Sequence, residues 1–146
     1  NDAGPDFRTL RCSVARACAT AGLWEDALDL LDEAHAEAVA QRPALSDHLT
    51  GLHRSLLSIC AKEGDVRNAL KVADRVEALA YRLEFGPNEE GHDRDDADAE
   101  PPSTVYAAVA MGPEEWKMVT IAASKTGDWK TCLTALQFLR PFLEAS

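Results

Sequence analysis

Three stretches of the chain place apolar residues three and four positions apart with charged residues between them. In the first, Ala27, Leu30, Leu31, Ala34 and Ala38 recur while Glu25, Asp29, Asp32, Glu33 and Glu37 fall on the opposite side. Val66, Ala69, Leu70, Ala73, Val76, Leu79, Ala80 and Leu83 repeat the pattern, and Trp129, Cys132, Leu133, Leu136, Leu139 and Leu143 write it a third time. That period predicts amphipathic helices, each with one buried and one solvated side. A second helical run precedes each of them, over about 6–21, 46–63 and 113–126, with Ser46 and Pro113 suited to helix starts. Six helices in three antiparallel pairs are expected, occupying about 6–42, 46–85 and 113–146.

The junctions inside the pairs are alike. "ATAGLWEDAL" (19–28 within the first pair), "AKEGDVRNAL" (61–70) and "SKTGDWKTCL" (124–133) align on Gly22, Gly64 and Gly127, at spacings of 42 and 63 residues, the longer interval holding an insertion. A glycine after a helical run can take the left-handed conformation that ends a helix, and Lys62 and Lys125 suit the negative end of its dipole. Asp65 and Asp128, directly after the glycine, can accept hydrogen bonds from the first free amides of the next helix. Small residues at Ala27, Ala69 and Cys132 permit close approach, with Leu28, Leu70 and Leu133 filling the groove between the helices. Trp24 and Trp129, two residues after their glycines, are expected to wedge between the helices of a pair. Stacked units of this kind predict an all-α fold: one helical-repeat domain over 1–146, with three antiparallel helical hairpins forming a short right-handed solenoid.

These turn segments resemble the turn and second helix of pentatricopeptide repeats, and are similar also to tetratricopeptide repeats. The small residue that tetratricopeptide repeats favour seven positions before the glycine is present as Ala15 but not at Leu57 or Thr120, which tilts the resemblance to the pentatricopeptide side. That resemblance implies first helices lining a concave face, single-stranded RNA read one base per repeat, and a chloroplast or mitochondrial address. The base-contacting position, nine residues before the glycine, would be Ser13, Ser55 and Met118. Serine suits that role. Methionine does not.

Charge bears on the partner. The net charge is −10, with −6 concentrated in 86–104 and −5 in 23–42. A field of that sign repels phosphate backbones, so RNA affinity is expected to be weak and salt-sensitive. The stretch 86–104 reads as an acidic, solvated and disordered insertion. The first helices are less acidic, and their candidate partner-binding face comprises Arg8, Arg11, Ser13, Arg16, His53, Arg54, Ser55, Lys117 and Met118. The expected partner is another protein or a large complex, to which this chain is a scaffold or accessory subunit; single-stranded RNA is the second reading.

Candidates for chemistry are sparse. Cys12, Cys18, Cys60 and Cys132 form no CxxC pair and read as reduced thiols, the last three on helix faces. His35, His48, His53 and His92 lack metal-ligand spacing and are expected at surfaces or helix ends. "HDRDDADAE" (92–100) lacks the glycine and closing glutamate of a calcium loop. No nucleophile triad, phosphate loop or dinucleotide fingerprint is present, so neither catalysis, cofactor nor metal is expected. The apolar run "TVYAAVAM" (104–111) either packs into the core or anchors a partner. No run approaches the roughly 20 apolar residues of a membrane span. The chain opens on Asn1 with no leader pattern, so a mature form or excised fragment is expected.

Overall fold

The structure, a computed structural model, describes residues 3–41, 46–85 and 110–145, with side chains from 9–40, 49–85 and 110–143. The described residues hold six α-helices and no strand: α1 Ala3–Thr20, α2 Trp24–Gln41, α3 Ser46–Glu63, α4 Val66–Phe85, α5 Pro113–Thr126 and α6 Trp129–Ala145. The acidic stretch 86–104, His92, residues 104–109 of the apolar run and the side chains of Arg8 and His48 lie outside what is described. None of the described helices is long and apolar enough to cross a membrane.

The three glycine turns are built alike. Gly22, Gly64 and Gly127 have φ of 87°, 70° and 74°, the left-handed region that side-chain-bearing residues avoid. In each turn the residue after the glycine donates its amide to a carbonyl five residues back: Leu23 to Cys18 at 2.8 Å, Asp65 to Cys60 at 2.9 Å and Asp128 to Ala123 at 2.9 Å. That bond closes the last turn of the helix and satisfies a carbonyl left without an intrahelical donor. Asp65 and Asp128 then cap the next helix. Asp65 Oδ1 accepts the Asn68 amide at 3.1 Å, and Asp128 Oδ1 accepts the Thr131 amide at 3.2 Å. The Thr131 hydroxyl also donates to Asp128 Oδ2 at 2.8 Å, and these two bonds hold the Asp128 carboxyl below its ordinary pKa. Leu23 stands where the aspartate would be in the first turn, so that helix start has no such cap.

Each helix packs on its successor across a glycine turn, α1 on α2, α3 on α4 and α5 on α6. Between these pairs, α3 touches α1, α2 and α5, and α4 touches α2 and α5. One apolar core runs through all six, with Leu31, Leu52, Leu56, Leu57, Val76, Leu79 and Val119 fully buried. An ion pair and a hydrogen bond fasten the later elements to the earlier: Arg75 Nε on α4 meets Asp32 Oδ1 on α2 at 2.9 Å, and Lys125 Nζ donates to the Lys62 carbonyl at 3.0 Å. At the start of α5, Glu115 Oε1 accepts the Gly112 amide at 3.0 Å. The last residues of the apolar run go inward. Met111 is buried, and its amide donates to Glu77 Oε2 at 3.0 Å.

Two expectations about burial require correction. Trp129 does not wedge between helices; it is 64% exposed, whereas Trp24 is half-buried against the core. Leu133, Leu136 and Leu143 are exposed as well, and α6 buries only Ala135 and Leu139 among its described side chains. The reason is position in the chain: α6 packs chiefly on α5, and no described helix follows to cover its other side. Histidine was also misplaced. His35 and His53 are 5% and 2% exposed, deep in the core.

Candidate binding groove

α1, α3 and α5 together line an open groove of about 810 Å³. From α1 and its terminal turn come Ser13, Arg16, Ala17, Thr20 and Ala21. From α3 come Arg54, Ser55, Ser58 and Ile59, and from α5 comes Met118. Ser13, Ser55 and Met118 occupy one register position, nine residues before their respective glycines, so equivalent points of three helices meet in one concavity. The lining mixes hydroxyls with short apolar side chains, and its charged groups are two arginines.

Arg54 is anchored. Its Nε donates to Glu115 Oε2 at 2.8 Å, the glutamate side chain being 6% exposed and the arginine 49%. The hydrogen bond and charge of Glu115 hold the guanidinium pKa above its ordinary value, so Arg54 is cationic at every accessible pH. Glu115 thereby aims Arg54 while neutralising part of its field, and its other oxygen holds the start of α5. Arg16 lies exposed on α1, the second cation of a groove set in a chain of net charge −10.

Five of the nine residues expected on the partner face therefore come together: Ser13, Arg16, Arg54, Ser55 and Met118. The others do not. Arg11 is buried between helices, its side chain 9% exposed and ion-paired with Glu37 of α2, so it serves the α1–α2 contact instead of a ligand. His53 points into the core, where its Nε2 lies 2.9 Å from that of His35 with the rings edge to face. Lys117 is exposed but outside the groove lining, 3.3 Å from Glu114 on its own helix. Ala17, Thr20, Ala21, Ser58 and Ile59 were missed. The register was a usable signal for Ser58, the equivalent of Arg16.

No family model, curated protein or solved structure matches this chain.

Burial sets the titration of two cysteines and two histidines elsewhere among the described residues. Burial pushes the Cys60 thiol up to about 12, with Asp65 adding to the effect, and burial raises Cys12 despite the arginines beside it. Neither is poised as a thiolate nucleophile. Burial drives His35 down to about 4 and His53 to about 3, so both are neutral at pH 7 and one Nε2–H donates to the other ring. Among the described residues, no three His, Cys, Asp or Glu side chains group so as to hold a metal ion.

Proposed function

We propose that this chain is a non-enzymatic binding module of the helical-repeat type. Its three helix pairs act as antiparallel hairpins stacked in a short right-handed solenoid, and its groove holds an extended segment of another protein. The supporting observation is the groove itself, where one register position from each of α1, α3 and α5 converges beside two guanidinium groups. Hydroxyls at Ser13, Thr20, Ser55 and Ser58 suit the alternating donors and acceptors of an extended backbone, and Ala17, Ile59 and Met118 offer apolar contact. Methionine adapts to varied side chains. The two arginines favour a segment bearing carboxylates.

RNA is the competing ligand, favoured by the same serines and arginines. Met118 offers no hydrogen bond to a base edge, Glu115 offsets Arg54, and the overall charge opposes a polyanion. Fluorescence anisotropy with two labelled pools, short acidic peptides and short mixed-sequence RNAs, separates the two near physiological salt. The expected result is saturable peptide binding that Arg16→Glu and Ser55→Tyr each abolish, with RNA binding weak and lost on adding salt. Sub-micromolar RNA binding that the same variants abolish would replace the protein ligand by RNA, and binding of either pool that is indifferent to both variants would remove the groove from consideration.

A further inference from the structure

We infer that the cleft between α4 and α6 is a binding site for an arginine side chain presented by another protein. The three glycine turns give a common register, so the two junctions between helix pairs can be compared position for position. At the first junction, Asp32 stands ten residues after Gly22 and Arg75 eleven after Gly64, and Arg75 Nε meets Asp32 Oδ1 at 2.9 Å. At the second, the equivalent of Asp32 is Asp74 and the equivalent of Arg75 is Phe138. The acid is present at both junctions, its guanidinium at only one. By the same register the buried His35 and His53 correspond to Glu77 and Trp116, which brings a second carboxylate to the second junction.

Asp74, Glu77, Trp116 and Phe138 line a cavity of about 290 Å³, with Thr131 and Thr134 of α6 beside them. Its lining holds no lysine or arginine, and among the described residues no cation pairs with Asp74. Glu77 is fixed through Oε2, which accepts the Met111 amide at 3.0 Å. Trp116 and Phe138 stack with centroids 4.4 Å apart and planes 3° apart. Trp116 is 7% exposed and Phe138 49%, so the indole backs the phenyl ring and holds it as an open shelf. The carboxylates call for a cation, and the shelf favours guanidinium over ammonium. Guanidinium stacks flat on an aromatic ring, is weakly hydrated and so loses little on leaving water, and donates to a carboxylate through two parallel bonds. The volume lies just under the roughly 300 Å³ at which small-molecule sites begin, and suits one long side chain. Free arginine would bring its own carboxylate towards Asp74 and Glu77, whereas an arginine within a chain has none to bring. The site uses no residue of the groove and does not depend on what the groove binds.

Titration of Nα-acetyl-arginine amide into the ¹⁵N-labelled chain near physiological salt, followed by NMR, tests this. The expected result is saturable shifts of the Asp74, Thr131, Thr134 and Phe138 amides, with a dissociation constant of about 1 mM. Asp74→Asn should weaken binding at least about tenfold, and Phe138→Ala should remove most of the preference over Nα-acetyl-lysine amide. Both positions are exposed, and helical circular dichroism checks that the variants are folded. The citrulline analogue, alike in shape but uncharged, should not bind. Absence of shifts at about twenty times that concentration overturns the site, as does equal binding of citrulline or by Asp74→Asn. A lysine derivative that binds as tightly overturns the arginine assignment, and free arginine that binds more tightly overturns the protein source. Peptide binding in the groove is read at Ser13, Arg16 and Ser55, so failure there and failure here are distinguishable.

Discussion

α4 and α6 carry the same kind of apolar stripe and have different fates. α4 buries Ala69, Val72, Ala73, Val76, Leu79, Ala80 and Leu83, because α2, α3 and α5 surround it. α6 displays Trp129, Leu133, Phe138, Phe142 and Leu143 to solvent at 46% exposure or more. A periodic stripe states which side of a helix prefers cover; it does not state that cover is present. Stability therefore resides where cover is present, each buried apolar side chain contributing on the order of 1.5 to 3 kcal/mol.

The largest expected contrast lies between Leu56 and Val14, which share a register position. Leu56→Ala leaves a cavity in the middle of the core and should cost about 3 to 5 kcal/mol. Val14→Ala should cost under about 1 kcal/mol, because the side chain is already half in water. Urea unfolding of both variants in dilute solution measures the difference, and similar midpoints would break the comparison.

Next in size is a pH effect centred on the buried pair. His35 and His53 are held neutral by burial, with folded pKa values of about 4 and about 3 against about 6.5 in an unfolded chain. The unfolded state therefore binds more protons below pH 6.5, and stability is complete above that value and falls as the pH drops towards 4. Asp32 favours the charged form of His35, while Arg75 and Arg82 oppose it. Between pH 7 and pH 5 the loss should be on the order of 2 to 4 kcal/mol, and replacing both histidines by leucine should flatten the curve. A wild-type melting temperature unchanged over that range would contradict the buried placement.

Much of the fold was legible because its signals are local. The helix starts at Ser46 and Pro113, the three left-handed glycines and the caps of Asp65 and Asp128 depend on residues within one turn of each other. Of the five groove residues, Ser13, Ser55 and Met118 followed from the register and Arg16 and Arg54 from the charge of the first helices. What was illegible depends on distance. The His35–His53 contact joins residues 18 apart on different helices, although each sits among apolar positions, which was a clue to burial. The Arg11–Glu37 pair spans 26 residues, so charge alone placed Arg11 on the partner face. Exposure of Trp129 and Leu133 was hidden for another reason, since their equivalents in the first pair, Trp24 and Leu28, have the same spacing and are half-buried and buried.

A smaller effect sharpens the same contrast at the turns. A Cβ at Gly64 would lie 3.1 Å from Lys125 Cβ, whereas one at Gly127 would meet nothing within 4 Å. Both alanine variants suffer the left-handed strain of about 1 to 2 kcal/mol. Gly64→Ala should be the worse of the two by a few tenths of a kcal/mol or more, because the contact to Lys125 must also yield. Thermal melting of the two side by side checks the order, and a larger loss at Gly127 would reverse it.

The central claim, that equivalent positions contribute according to how far each is buried, is tested most directly at Leu28 and Leu133. They occupy the same place after their glycines and are 5% and 54% exposed. Chemical unfolding of Leu28→Ala and Leu133→Ala side by side reads the difference. The account predicts a cost of about 2 to 5 kcal/mol for Leu28→Ala. For Leu133→Ala it predicts under about 1 kcal/mol. Equal costs would contradict it.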